Sequence, residues 1–122
     1  MIKKKVLVVE DDDVIRSTMQ ELLETEGYIV ECAANGDDAI QVLRCSELLP
    51  GLILLDMTMP VKDGFQFRAE QEQDVKLALI PVLVMTADGN IEAKTLKVGA
   101  KGFIKKPFDV DHVIHMVGLH CI

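Results

Sequence analysis

The stretch Val6-Leu7-Val8-Val9-Glu10-Asp11-Asp12-Asp13 sets four apolar residues, unbroken, directly before four acids. A run without polar alternation is what a strand covered on both faces requires, because neither face meets water. The pattern recurs at Leu52-Ile53-Leu54-Leu55-Asp56 and Val82-Leu83-Val84-Met85-Thr86, and in shorter form at Phe103-Ile104-Lys105-Lys106. All four read as parallel, central strands. Tyr28-Ile29-Val30-Glu31-Cys32-Ala33 carries polar residues among the apolar ones and reads as nearer an edge.

Helical patterns fill the intervals. Ile15, Met19, Leu22 and Leu23 recur at helical spacing, with Gly27 as a stop. Ala39, Ile40 and Leu43 follow Gly36-Asp37-Asp38, whose acids suit a helix start. Asp63-Gly64 opens a third helix to about Gln73, Ile91 to Val98 forms a fourth ended by Gly99, and Asp109 to about Leu119 a fifth. Strand and helix thus alternate five times, which predicts a doubly wound α/β layer with right-handed crossovers.

A chain of 122 residues fits one domain, residues 1–122, and 49% hydrophobic with 27% charged residues is globular composition that excludes general disorder. A general phosphate-backbone binder would need a basic face, so the net charge of −7 disfavours direct nucleic-acid binding by the domain alone. The three cysteines, Cys32, Cys45 and Cys121, have neither metal-ligand spacing nor an even count for a disulfide framework, which suits a reducing compartment. No apolar run approaches membrane-spanning length or a signal peptide, and a cytoplasmic location is expected. Met1 stands just ahead of the first strand, as a natural N-terminus would. The end at Gly118-Leu119-His120-Cys121-Ile122 leaves a stand-alone domain and one cut from a longer protein both open.

The charge is uneven. Residues 1–74 hold 16 acids and 7 bases, and residues 75–122 hold 4 acids and 6 bases. In open parallel sheets ligands bind beyond the carboxyl ends of the strands. The residues that follow the apolar runs are Glu10 and Asp11, Asp56, Thr86, and Lys105-Lys106, of which strand alternation lets only one lysine face the rim. Taken singly, each has an ordinary reading as a turn, cap or solvated charge. Taken jointly, three carboxylates that would repel one another suit a hard divalent cation such as Mg²⁺. A lysine and a hydroxyl beside the cation would then suit a phosphoryl group.

The runs Val8-Val9-Glu10-Asp11-Asp12, Leu55-Asp56-Met57-Thr58-Met59-Pro60 with Asp63-Gly64, Val84-Met85-Thr86-Ala87 and Gly102-Phe103-Ile104-Lys105-Lys106-Pro107-Phe108 resemble the receiver domain of two-component response regulators, in order and over the whole chain. The resemblance implies a flavodoxin-like three-layer sandwich: a five-stranded parallel sheet of order 2-1-3-4-5 with five helices on its two faces. It implies Asp56 as phosphoacceptor, with Asp11, Asp56 and the Thr58 carbonyl as Mg²⁺ ligands, Glu10 acting through water, and Mn²⁺ as a substitute ion. Lys106 would pair with the acceptor carboxylate and then with phosphoryl oxygens, across a cis Lys106-Pro107 bond. Thr86, with Ala87 beside it, would bind the phosphoryl group, and Phe103 would turn inward as the switch. Thr58 and Asp88 flank the path of an attacking water and would tune dephosphorylation. Asp12 and Asp13 read as helix-start acids rather than ligands.

The partners implied are a sensor histidine kinase or histidine phosphotransfer protein and a downstream protein target. The surface of the fourth helix, fifth strand and fifth helix would serve for output, with a monomer or a phosphorylation-dependent dimer formed through it. Lys94, Lys97 and Lys101 would make that face attractive to an acidic partner. Such a protein is a regulatory switch that catalyses only its own phosphoryl transfer and dephosphorylation, either alone or as part of a regulator or hybrid kinase. A haloacid-dehalogenase-type phosphatase would need a second Asp two residues after the nucleophile, where Thr58 stands, and a flavodoxin-like carrier would need a Ser/Thr/Gly-rich loop after the first strand. A pseudo-receiver would lack residues that are all present here. His112, His115 and His120 read as polar helix positions, Met57 and Met59 as packing residues.

Overall fold

Period-2 alternation within each strand decides which helices it meets. The computed structural model describes residues 4–59, 61–87 and 89–122. Its strands are β1 (Lys5–Val9), β2 (Ile29–Ala33), β3 (Leu52–Asp56), β4 (Val82–Thr86) and β5 (Gly102–Lys105). Its helices are α1 (Asp13–Thr25), α2 (Gly36–Cys45), α3 (Gly64–Gln73), α4 (Ile91–Val98) and α5 (Val110–His120), with a 3₁₀ turn at Leu77–Leu79. All pairings are parallel, and the order is β2-β1-β3-β4-β5.

Leu7, Val9, Ile53, Leu55, Val82 and Val84 point to one face, where they pack with Ala39, Ile40 and Leu43 of α2, Phe67 of α3 and Val98 of α4. Val6, Val8, Leu52, Leu54, Leu83 and Met85 point to the other, against Met19 and Leu23 of α1 and Val113 and Val117 of α5. Both cores exclude water, which is why β1, β3 and β4 show no polar alternation. One expectation needs correction. The Phe103-Ile104 strand is not central: β5 closes the sheet at the edge opposite β2, and only its Ile104 is fully buried. The second helix is capped by Asn35, whose side chain accepts from Asp38 N, while Asp37 and Asp38 lie in the first turn.

The registers align the carboxyl ends. Val9 pairs with Leu55, Asp56 with Met85, and Thr86 with Lys105, so the last residues of β3 and β4 and the residues just beyond β1 and β5 share one rim.

Candidate functional site

Three loops build the rim. After β1, Glu10 N donates to Ala33 O at 3.0 Å, which carries Glu10 one residue past the strand and turns its side chain inward, fully buried. Asp12 then caps α1, its Oδ1 accepting from Val14 N at 2.9 Å and Ile15 N at 3.0 Å, while its own N–H donates to Glu10 Oε2 at 3.2 Å. Asp12 therefore serves the helix start, and Asp11, between the two, is left exposed over the cleft.

At the end of β3, Asp56 is 3% exposed and accepts a hydrogen bond from Thr58 N at 3.2 Å. The chain returns to α3 through a capping box in which Asp63 and Gln66 bond each other's backbone N–H. Gly64 packs so closely that a Cβ there would lie 2.6 Å from Met57 Sδ and 2.9 Å from Asp56 O. After β5, Lys106 N donates to Thr86 O at 3.0 Å, and the Lys106-Pro107 peptide is cis. Lys105 points to solvent, and Lys106 is the lysine that faces the rim. Its ammonium lies 2.5 Å from Glu10 Oε1 and 3.5 Å from Asp56 Oδ1.

Glu10, Asp11, Asp56, Thr58, Thr86, Ala87 and Lys106 line one open cleft of about 250 Å³. Thr86 is buried in its floor and Ala87 is exposed at its edge. Phe103 is half-buried and packs against the core on the α2–α3–α4 face, away from the cleft lining. Asp88 lies outside the described residues.

Carboxylate oxygens of Glu10, Asp11 and Asp56 lie within 4.8 Å of one another, the one such group of potential metal ligands among the described residues. His112 and His115 are exposed on α5 and join no such group. Burial, reinforced by the hydrogen bond and charge of Glu10, pushes the Asp56 pKa up to about 8, against the opposing pull of Thr58 N–H and Lys106. Burial alone would raise Asp11 as well, but hydrogen bonds shared with Asp56 and Glu10 outweigh it and hold Asp11 below the usual carboxylate range. The Lys106 ammonium loses hydration on burial yet gains more from Glu10 and Asp56, so its pKa rises. An all-oxygen carboxylate set carrying excess negative charge fits a hard divalent cation of the Mg²⁺ kind.

Two cations stand outside the sequence expectations. Arg16 Nη1 donates to Glu10 O at 2.9 Å and its Nη2 pairs with Asp13; the i,i+3 spacing of that pair is a signal the sequence contains. Lys62, in the loop after β3, pairs with Asp37 and Glu70, residues that only the tertiary fold brings to it.

The family model described as the response regulator receiver domain matches residues 6–118. The chain is 34% identical over 117 residues to the chemotaxis protein CheY of Halobacterium salinarum, covering 93% of each. It is 36% identical over 115 residues to the DNA-binding dual master transcriptional regulator RpaA of a Synechocystis strain, covering 93% of this chain and 47% of that protein. The chain spans about half the length of several curated relatives it matches. A solved structure of chemotaxis protein CheY4 from Vibrio cholerae superposes with a TM-score of 0.88 at 30% identity, covering 98% of this chain and 99% of that one.

Proposed function

The chain belongs to the response regulator receiver family of two-component systems, and on that premise we propose that it is a switch written by phosphorylation of Asp56. Receiver domains bind Mg²⁺ at an acidic pocket and interact with histidine kinases and downstream effectors. Asp56 is the acceptor: one of its carboxylate oxygens attacks the phosphorus of a phosphohistidine or small phosphodonor. The new P–O bond forms as the P–N bond breaks in the phosphohistidine case, with the electron pair leaving on the imidazole nitrogen. Such a step demands in-line positioning and charge neutralisation more than covalent help from the protein.

The residues divide the work. Glu10, Asp11 and Asp56, with the Thr58 carbonyl, would hold Mg²⁺ or Mn²⁺, Glu10 acting through water. The bound ion would neutralise charge that these carboxylates cannot carry together. Lys106 supplies the second cation, moving from the carboxylate of Asp56 to phosphoryl oxygens. Thr86 and Ala87 receive the phosphoryl group, Phe103 turns inward, and Thr58 and Asp88 set the rate at which water removes the group. The domain catalyses its own phosphorylation and dephosphorylation and is a regulator rather than an enzyme acting on other substrates.

The donor is a sensor histidine kinase or histidine phosphotransfer protein. Output is through α4, β5 and α5, to a downstream protein or to a second copy in a phosphorylation-dependent dimer. Lys97 and Lys101 are exposed on α4 and the turn after it, and Leu96 beside them is 83% exposed, which favours an acidic partner with an apolar anchor. No helix is long and apolar enough to cross a membrane among the described residues.

The observation that carries this reading is Asp56 itself: a carboxylate 3% exposed at a strand end, with two further carboxylates and one ammonium converging on it. Beryllofluoride with Mg²⁺, followed by amide NMR, tests it. Shifts at Thr86, Ala87 and Phe103 that vanish in Asp56→Asn are expected; an unchanged wild-type spectrum would overturn it.

A further inference from the structure

The chain leaving β3 is anchored by buried Met57 and by Met57 N donating to Met85 O at 3.3 Å. Its returning limb contains Val61 at φ +68°, a left-handed conformation that a β-branched residue adopts only where the surroundings enforce it. The next residue, Lys62, ties this limb to two helices. Its carbonyl accepts from Gly36 N at 3.0 Å, and Gly36 lies so close that a Cβ there would stand 2.7 Å from Lys62 Cγ. Its ammonium lies 3.3 Å from Asp37 Oδ1 and pairs with Glu70 Oε1, while Glu70 Oε2 takes Arg44 Nη2 at 3.3 Å. Two carboxylates, one from α2 and one from α3, therefore converge on a lysine side chain only 20% exposed, and Arg44 of α2 holds the second of them.

We propose that Lys62 is a positioning residue for metal-dependent phosphoryl acceptance: by tying the loop to α2 and α3 it fixes where Thr58 presents its backbone to the acidic cleft. The inference rests on the reading of the cleft given above. Residues that orient a ligand from behind typically govern metal affinity by about 10-fold or more.

Charge and geometry predict opposite signs here. Removing a cation near an acidic site strengthens Mg²⁺ binding if charge alone acts, and weakens it if the loop loses its place. Calorimetric Mg²⁺ titration of wild type, Lys62→Met, Lys62→Gln and Lys62→Arg decides, with thermal midpoints and amide exchange at Thr58 measured on the same samples. Expected are affinity lower by about 10-fold in Lys62→Met and Lys62→Gln, faster Thr58 exchange without metal, and near-wild-type affinity in Lys62→Arg. Affinity unchanged or raised in both neutral variants would overturn the role of Lys62 while leaving the cleft reading intact. A wild type that binds no Mg²⁺ would overturn the cleft reading itself, and this inference with it.

Discussion

Lys106 reaches Glu10 before it reaches Asp56: its ammonium lies 2.5 Å from Glu10 Oε1 and 3.5 Å from Asp56 Oδ1. The Glu10 side chain is 1% exposed, so this lysine is the cation that makes a buried carboxylate tolerable. Lys106→Met is therefore expected to destabilise the metal-free protein by about 3 kcal/mol, because it strands Glu10 in the interior. The double variant Glu10→Gln/Lys106→Met should recover much of that loss. Urea unfolding in EDTA measures both.

Asp56 carries the pH dependence. Its folded-state pKa of about 8 stands above the unfolded value of about 3.9. Between these values the folded state holds a proton that the unfolded chain has released, so rising pH must lower stability across that window and cease to do so above it. In EDTA the unfolding midpoint should fall from pH 5 to pH 8, and Asp56→Asn should flatten the slope. Mg²⁺ should bind with release of a proton below pH 8 and raise the midpoint most at the alkaline end.

Gly64 sets the distance between α3 and β3. A Cβ there would press on Met57 Sδ at 2.6 Å, Met57 Cα at 2.8 Å and Asp56 O at 2.9 Å, two of which are backbone atoms that cannot rotate away. Gly64→Ala should cost about 1–3 kcal/mol and weaken Mg²⁺ binding, measured by urea unfolding and calorimetry.

Arg68 ties α4 to α3. Its Nε donates to Val98 O, the last carbonyl of α4, at 2.8 Å, and it lies 3.4 Å from Glu72. A charged donor at a helix C-terminus satisfies an orphan carbonyl and opposes the negative end of the dipole. Arg68→Met should lower stability by about 1.5–3 kcal/mol. Amide exchange should accelerate in α4 and stay unchanged in α1.

The central strands were legible because burial on both faces leaves unbroken apolar runs, as at Val6–Val9 and Leu52–Leu55. Strand order was not, since the runs carry no pairing information; it came with the motif resemblance. Phe103-Ile104 looked central because a two-residue run cannot distinguish an edge from an interior strand. Alternation reduced Lys105 and Lys106 to one inward lysine without choosing between them. The Asn35 cap was masked by the acids after it, and the contacts of Lys62 span α2 and α3, beyond any local period.

The most direct test of the acceptor is mass spectrometry of the intact protein and its peptides after incubation with acetyl phosphate and Mg²⁺. Asp56 at the centre of the cleft predicts one phosphoryl adduct, mapped to Asp56, dependent on Mg²⁺ and absent in Asp56→Asn. No adduct on the wild type, or one that persists in Asp56→Asn, would contradict it.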